Sequence, residues 1–264
     1  MDMTSDPPFN SPHDPDRPDA SINVDASLTY WNSVSSDNNG MLGGYPQTSR
    51  IDLQGSSNFL TKLRRVRSQA SSKESLPPLD RVADCGAGIG RITKGLLLPV
   101  ASMVDVVEPV KKFTDELVQS LGNGEYAGDG EAKGGKGQVG AVINLGLQDW
   151  IPEEGAYDLI WNQWCLGHLT DAQLVVYLRR CTAGLRKARD GEDKVAAWIV
   201  VKENLSTDIR HKDIYDEEDS SVTRSDDKFR RLFQEAGLKI LATELQRGMP
   251  KDLFPVRVYA LRPE

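Results

Sequence analysis

Residues 84–91 read DCGAGIGR, and this stretch decides the fold of the 264-residue chain. It follows the short apolar run 81–85 and precedes a predicted helix, and its three closely spaced glycines let backbone N–H groups approach a ligand at a helix N-terminus. A dinucleotide-binding turn needs G-x-G-x-x-G, which neither register of these glycines completes. The sequence reads D-x-G-x-G-x-G instead, which disfavours a nicotinamide-dependent oxidoreductase. A tight turn without any ligand is the alternative interpretation.

Strands and helices alternate on both sides of this turn. Apolar and β-branched runs predict buried strands at 81–85 and 103–108, and further strands at 139–144, 157–163 and 195–202. The spacing of apolar residues predicts helices at 109–121, 170–185 and 226–236. Thr170 and Gln173 form a predicted capping box. Segments 238–246 and 254–261 are close enough to pair as an antiparallel hairpin, so we expect one α/β domain whose mostly parallel sheet is covered on both faces.

Two compositionally biased segments set the predicted boundaries. Residues 1–27 contain five prolines and six aspartates. They predict an acidic, Pro-rich disordered tail, because they carry too little apolar surface to offset the entropy of ordering. Residues 122–140 hold eight glycines and predict a flexible loop inserted into the fold. Residues 28–73 predict a helical N-terminal extension of a domain that spans 28–264.

Charge and cysteine content exclude several classes. The chain carries 32 Lys and Arg against 39 Asp and Glu, a net charge of −7, whereas a nucleic-acid binder needs a basic surface. The three cysteines form no CxxC pair, so we expect neither a disulfide framework nor a metal site. No apolar run reaches the ~18 residues of a membrane span. We expect a cytoplasmic protein without membrane or nucleic-acid partners, and leave the nucleus open as a second location.

The acids around the glycine turn indicate a ligand. The pattern D-x-G-x-G-x-G resembles the first motif of class I S-adenosylmethionine-dependent methyltransferases, and a carboxylate at Asp84 suits a ligand with an ammonium and no pyrophosphate. Glu108 ends the second strand, where an acid can accept hydrogen bonds from both ribose hydroxyls. Arg91 is suited to a bidentate pair with a ligand carboxylate. Residues 147–149 form a loop suited to bracket an adenine.

A closer resemblance covers roughly residues 28–262. Its motifs are YW at 30–31, GMLGGY at 40–45, DCGAGIGRITK at 84–94, GLQ at 146–148, WNQW at 161–164, GHLTD at 167–171, KEN at 202–204 and DSSV at 219–222. In this combination they resemble the eukaryotic protein α-N-terminal methyltransferases. The resemblance implies a Rossmann-like class I domain with a seven-stranded sheet, and methylation of the free α-amine of proteins that begin X-Pro-Lys after Met removal.

The resemblance also implies roles for individual residues. It implies a cofactor site for S-adenosylmethionine at Gly86, Gly88, Arg91, Glu108, Pro109, Val110, Leu147, Gln148 and Gln163, with Trp31 and Met41 in a lid formed by the N-terminal extension. It implies a substrate site at Leu42, Trp164, Asn204, Asp216 and Ser221. Asp219 and His168 would lie next to the amine. The implied partners are protein N-termini, those of ribosomal proteins for example, and we expect a monomer.

Two positions and one loop depart from the family pattern. Glu108 stands where the family usually has Asp, which retains the carboxylate. Phe254 stands where the family has a tyrosine in the peptide channel, and so removes a hydroxyl from one peptide contact. The Gly-rich loop at 122–140 is longer than is typical of the family.

The chemistry of an α-amine suits these residues. Its unperturbed pKa of about 7.7–8.0, against about 10.4 for lysine, leaves an appreciable neutral fraction near pH 7. One nearby proton acceptor is therefore sufficient. We expect Asp219 to accept the amine proton directly or through water, and His168 to assist or orient; His13 and His211 are interpreted as structural or solvated. Two alternatives stay open, a small-molecule N- or O-methyltransferase of the same fold and a non-catalytic cofactor-binding protein.

Overall fold

The computed structural model describes residues 17–68, 75–122, 137–187 and 197–264. The helices are α1 (Val24–Ser33), α2 (Asn38–Met41), α3 (Ser49–Ser68), α4 (Lys111–Gly122), α5 (Asp171–Gly184) and α6 (Asp226–Glu235). The strands are β1 (Leu79–Cys85), β2 (Ala101–Val107), β3 (Gln138–Ile143), β4 (Leu159–Gln163), β5 (Trp198–Asn204), β6 (Ile214–Asp216), β7 (Ser221–Thr223), β8 (Leu238–Leu245) and β9 (Val256–Pro263).

Seven strands form one sheet in the order β3-β2-β1-β4-β5-β9-β8. The first five are parallel, and β9 pairs antiparallel with both β5 and β8. The predicted α/β fold, with its mostly parallel sheet and C-terminal antiparallel hairpin, is confirmed. The strand order, not the strand direction, reverses between the parallel strands β1 and β4, and the carboxyl ends of these strands border one crevice, where open α/β sheets bind ligands.

Helices cover both faces of the sheet. On one face, Phe59 and Leu60 of α3 pack with Val82, Val104 and Trp161 of the strands. On the other, α5 and α6 bury apolar side chains against the same strands; they include Leu174, Leu178, Phe229 and Phe233. Thr170 caps α5 and forms the predicted capping box with Gln173. The apolar residues that recur at helical spacing therefore lie on the face of each helix that packs against the sheet.

Two predicted boundaries are wrong. The tail was expected to extend to residue 27, yet residues 18–21 form a 3₁₀ turn and α1 begins at Val24, with Asn23 as its N-cap. Asp19 lies within the predicted disordered tail, yet it is buried and accepts a hydrogen bond from the backbone N–H of Asp171. The Gly-rich insertion was expected to extend to residue 140, but β3 begins at Gln138. Residues 1–16 and 123–136 lie outside the described part of the chain.

Two further elements differ from the sequence pattern. The helix after the glycine turn is short and widens into a π-type turn at Thr93–Leu97. The acidic stretch 213–219 contains β6 and leads into β7, so that the two strands form a separate hairpin. Strands of three residues are too short to show an alternating pattern. This hairpin positions Asp219.

No helix in the described ranges is long and apolar enough to cross a membrane. The same ranges contain no group of three or more His, Cys, Asp or Glu side chains arranged to hold a metal ion.

Candidate active site

Two adjoining cavities open at the carboxyl ends of β1, β2, β4 and β5. The first cavity has a volume of about 400 Å³ and the second about 290 Å³. Both are lined by Trp31, Met41, Trp164 and His168. These four residues therefore form a boundary that the two cavities share.

The glycine turn forms one wall of the first cavity. Gly86 and Gly88 have φ of +67° and +54°, a conformation that glycine adopts without strain. A Cβ at Gly86 would lie 2.3 Å from Cβ of Cys165, and one at Gly88 would lie 2.7 Å from Sδ of Met41. Both positions therefore require glycine for the backbone to pass this close to the cavity.

Glu108, at the end of β2, is fixed beside this turn. Its Oε2 accepts a hydrogen bond from the N–H of Gly88 at 2.9 Å, and its Oε1 accepts one from the N–H of Val110 at 2.8 Å. Burial raises the pKa of Glu108, although these two N–H groups oppose the rise. Each carboxylate oxygen has a further lone pair. The pair of oxygens can therefore accept from two adjacent ligand hydroxyls.

Asp84, at the end of β1, lies on the floor of the first cavity. Its Oδ2 accepts a hydrogen bond from Oγ1 of Thr93 at 2.5 Å. Burial raises the pKa of Asp84 to about 7, against the opposing effects of Thr93 and Arg91. A cationic ligand in the cavity would favour the ionised carboxylate.

Arg91 is held by a residue that the sequence reasoning missed. Nη1 of Arg91 donates to the buried Asp52 of α3 at 2.6 Å, and the guanidinium lies 5.3 Å from the ring centroid of Trp164. Nε2 of Gln163 also donates to Asp52, and Nζ of the buried Lys202 lies 2.5 Å from it. Burial alone would raise the pKa of Asp52, but the charges of Arg91 and Lys202 lower it. A lysine inside the apolar run of β5 was the sequence signal for a buried acidic partner.

Two residues that line the second cavity carry an unpaired acceptor and an unpaired donor. In the described part of the chain, Oδ1 of Asp219 and Nε1 of Trp164 are both buried and have no hydrogen-bond partner. Trp164 has a φ of +54°, which is uncommon for a residue with a side chain. Because buried polar groups are normally paired, these two atoms point to a polar ligand that supplies both an N–H and a carbonyl.

The loop that carries Trp164 and His168 is clamped from two sides. Oε1 of the buried Glu203 accepts hydrogen bonds from the N–H groups of Cys165 and Leu166, both at 2.9 Å. The buried Arg224 donates to the carbonyls of Leu166 and Leu169. Burial raises the pKa of Glu203 to about 7. Sequence reasoning also missed this clamp, because its members lie up to 58 residues apart.

His168 faces both cavities through its ring. Nδ1 lies 3.0 Å from Oγ of Ser27, and Nε1 of Trp31 donates to Nε2 at 3.2 Å. Burial lowers the pKa of His168, and the nearby Asp219 opposes that shift. The imidazole therefore connects α1 to the boundary between the cavities.

The structure brings most of the expected site residues together. The first cavity is lined by all the expected cofactor residues: Gly86, Gly88, Arg91, Glu108, Pro109, Val110, Leu147, Gln148, Gln163, Trp31 and Met41. The second is lined by Leu42, Trp164, Asn204, Asp219, Ser221, His168 and Phe254. Asp216 differs: it is exposed at the end of β6, accepts a hydrogen bond from the N–H of Glu218, and lines neither cavity. The three-residue β6 turns it outward, which the linear spacing of the acids did not show.

Three features define a class I S-adenosylmethionine-dependent methyltransferase: a glycine turn after β1, a carboxylate at the end of β2, and a seven-stranded sheet in which β9 is antiparallel to its neighbours. The family model described as AdoMet dependent proline di-methyltransferase matches residues 19–262. The chain belongs to this family.

Curated relatives agree with this assignment. The chain is 41% identical over 242 residues to "Alpha N-terminal protein methyltransferase 1" of Schizosaccharomyces pombe, covering 90% of this chain and 94% of the relative. It is 40% identical over 233 residues to "N-terminal Xaa-Pro-Lys N-methyltransferase 1" of Xenopus tropicalis, covering 88% and 92%.

Solved structures share the fold. A SAM-dependent methyltransferase of Leishmania major superposes with a TM-score of 0.72 at 32% identity, covering 92% of this chain and 88% of that one. A 1,6-didemethyltoxoflavin-N1-methyltransferase of Burkholderia thailandensis, at 16% identity and a TM-score of 0.61, covers 98% and 93% and shares the fold alone.

Proposed function

We propose that this enzyme transfers methyl groups from S-adenosylmethionine to the free α-amino group of proteins that begin X-Pro-Lys once Met has been removed. The observation that carries the proposal is the pair of unpartnered atoms on two residues that line the second cavity, Oδ1 of Asp219 and Nε1 of Trp164. An amine supplies N–H groups to the first, and a peptide carbonyl accepts from the second. The names of the fission-yeast and frog relatives support the same substrate class.

The first cavity fits the cofactor by the chemistry of its walls. The carboxylate of Glu108 suits the ribose hydroxyls, the glycine turn lets the backbone approach, and Arg91 suits the cofactor carboxylate. Asp84, whose pKa is raised to about 7, becomes ionised beside an ammonium. When bound, S-adenosylmethionine would supply a methyl group on a positively charged sulfur; the amine lone pair would form the new N–C bond in line as the C–S bond breaks, and the sulfur would leave as a neutral thioether.

Asp219 takes up the amine proton in this proposal. The α-amine must be neutral to attack, and its unperturbed pKa of about 7.7–8.0 makes removal of one proton a modest step near pH 7. Oδ1 of Asp219 has both lone pairs free of protein donors in the described structure. His168, beside Asp219, orients the site, and the proton passes from the carboxylate to solvent.

The second cavity suits a proline-containing N-terminus. Proline has no backbone N–H, so the second residue of the peptide requires no acceptor from the protein. Apolar side chains line part of the cavity, among them Leu42, Leu253 and Phe254, and suit the proline ring and its neighbour. Asn204, Asp219 and Ser221 supply polar groups to the same cavity for the backbone and the lysine ammonium. Ribosomal proteins with such N-termini are the proposed substrates, and we expect the enzyme to act as a monomer in the cytoplasm.

Peptide methylation tests the proposal directly. The enzyme is incubated with isotopically labelled S-adenosylmethionine and peptides that begin Ser-Pro-Lys or Ala-Pro-Lys, and mass spectrometry locates the label. We expect label on the α-nitrogen only, and none on the same peptides after N-terminal acetylation. Equal labelling of the acetylated peptides would reject the α-amine as acceptor. Turnover of small amines or alcohols without peptide methylation would favour a small-molecule methyltransferase instead.

A further inference from the structure

The imidazole of His168 lies between two side chains of α1. Oγ of Ser27 is 3.0 Å from Nδ1, and Nε1 of Trp31 is 3.2 Å from Nε2. The rings of Trp31 and His168 meet edge to face, with their centroids 6.1 Å apart. Both ring nitrogens are therefore engaged by one helix.

The chemistry of the indole decides the protonation state of the histidine. An indole N–H donates and never accepts, so Nε2 of His168 must carry a lone pair. The single proton of the neutral ring then lies on Nδ1 and is donated to Oγ of Ser27. A second proton on Nε2 would have to face the N–H of Trp31, which would break that hydrogen bond.

We infer that Trp31 and Ser27 are positioning residues that hold His168 as the neutral Nδ1–H tautomer, so that His168 latches the N-terminal segment over both cavities while the amine proton goes to Asp219. The latch is inferred from the hydrogen bonds of the ring, whereas the transfer of the amine proton to Asp219 rests on the proposed function.

The rest of the N-terminal segment has matching attachments. Oδ2 of Asp19 accepts a hydrogen bond from the N–H of Asp171 at the start of α5, and the N–H of Asn23 donates to Oγ of Ser220 at 2.8 Å. Ser220 is next to Asp219 on the β6–β7 turn. One continuous segment is thus tied to α5, to the hairpin that carries the proton acceptor, and to His168.

The surroundings of the ring favour the neutral form. Asp219 is the charged group that acts on the imidazole most directly, and its charge and a hydrogen bond with the backbone of Ser220 both raise the pKa of His168. Arg91, Asp84 and Glu108 line the first cavity with it, and Glu203 lines the second. Burial under α1 is the larger effect and lowers the pKa. Opening of α1 removes that burial, so the ring gains a proton more readily when the segment is open.

Nitrogen-15 NMR tests the latch without any substrate. The chain has only three histidines, so the ring signals of His168 can be assigned with His13→Gln and His211→Gln variants of the full chain. In the unsubstituted enzyme we expect a neutral ring with its proton on Nδ1 between pH 8 and pH 6.5. A proton on Nε2, or a fully protonated ring at pH 7, overturns the inference.

Two substitutions and one control separate positioning from stability. Trp31→Phe keeps an aromatic ring and removes the N–H, and we expect a mixture of tautomers and a rise of about one unit in the pKa of His168, the size of one lost hydrogen bond. Ser27→Ala keeps the indole donor, so we expect the proton to stay on Nδ1 although it loses its acceptor there. Ser33→Ala removes an exposed hydroxyl from the same helix, whose partner is the carbonyl of Tyr30, and should leave the spectrum unchanged. An unchanged tautomer and an unchanged pKa of His168 in folded Trp31→Phe would refute the latch.

Activity measurements then test whether Asp219, and not His168, accepts the amine proton. If His168 only latches the segment, Trp31→Phe raises the KM for an Ala-Pro-Lys peptide, while the pH profile of kcat keeps its shape. A pH profile that follows the NMR pKa of His168 would make His168 the proton acceptor and reject the assignment to Asp219. Because the NMR result needs no peptide, it stands or fails separately from the proposed function.

Discussion

Nη1 of Arg91 lies 2.6 Å from Oδ2 of Asp52, so a residue of the N-terminal helix α3 holds the guanidinium on the wall of the first cavity. The carboxylate is buried and also accepts from Gln163 and Lys202. The position of a cofactor-facing side chain thus depends on an element outside the sheet.

Asp52→Asn is expected to weaken both cofactor binding and folding. The change leaves two buried cations without their counter-ion, which costs about 3–5 kcal/mol in comparable cases. We expect the free energy of unfolding to fall by that amount and the Kd for S-adenosylmethionine to rise at least about tenfold. Calorimetric titration and chemical denaturation measure the two. Asp115→Asn, which breaks an exposed pair with Lys111, should change both very little. A folded Asp52→Asn enzyme with the original Kd would contradict this role.

Gly88→Ala should weaken cofactor binding, because the new Cβ would push the side chain of Met41, which lines the first cavity. The new Cβ would lie 2.7 Å from Sδ of Met41 at a residue with a φ of +54°. Gly155→Ala is the matched control, because Gly155 has a φ of +66° but open space around its Cβ. Both variants should lose about 1 kcal/mol of stability from backbone strain. Only Gly88→Ala should lose affinity in a cofactor titration, and equal losses in both would show that strain alone is responsible.

Trp164→Phe should affect the peptide more than the cofactor. The change keeps an aromatic ring beside Arg91 and removes the N–H that has no partner in the described structure. Loss of one hydrogen bond to the peptide corresponds to about 1 kcal/mol, or a roughly fivefold rise in the KM for an X-Pro-Lys peptide. Steady-state kinetics with each substrate varied in turn measure this, and a KM that stays constant would mean that the indole N–H does not contact the peptide.

Asp219→Asn should reduce kcat strongly. Removal of a positioned proton acceptor typically costs about 10²–10⁴-fold in rate. The Kd for the cofactor should stay within about twofold, because Asp219 lines the second cavity and not the first. Glu217→Gln, an exposed change on the same hairpin, is the control. Near-normal turnover of Asp219→Asn at pH 7 would remove this residue from the mechanism.

The stability of the free enzyme should depend on the ionisation of Asp84. Its pKa of about 7 in the folded protein lies above the ordinary 3.8, so between these values the folded state holds a proton that the unfolded state has lost. Stability is therefore expected to fall as pH rises from about 4 to 7, by at most roughly 4 kcal/mol from this group. The Asp84→Asn enzyme should lack that part of the slope. Chemical denaturation at pH 5 and pH 8 gives the comparison, and parallel curves would refute the shifted pKa.

Local patterns in the sequence predicted those parts of the structure that are determined by interactions between residues close together in the chain. The strands around the glycine turn, the Thr170 capping box and the C-terminal hairpin are confirmed. Each is specified by neighbours within a few residues, where apolar periodicity and capping act. Most of the expected site residues also line the two cavities, because motifs at strand ends meet at one edge of the sheet.

The missed features all depend on contacts between distant residues. Asp52 lies on an amphipathic helix, and nothing in its neighbourhood shows that Lys202 and Arg91 will meet it. Glu203 and Arg224 likewise act on a loop far from them in sequence. Asp19 was assigned to a disordered tail because composition registers the charge but not its partner, the N–H of Asp171. Such pairings require the three-dimensional fold.

The bond from Nζ of Lys202 to the carbonyl of Asp52 joins residues 150 positions apart, and that from Asn23 to Ser220 joins residues 197 apart. The ribosome therefore produces α1 and α3 long before the strand and hairpin that receive them. Because the entropy of closing such long loops must be overcome before these contacts form, we expect α1 and α3 to dock after the strand and hairpin have formed, although they are made earlier. Until they dock, Lys202 has no counter-ion from α3, and neither cavity is complete.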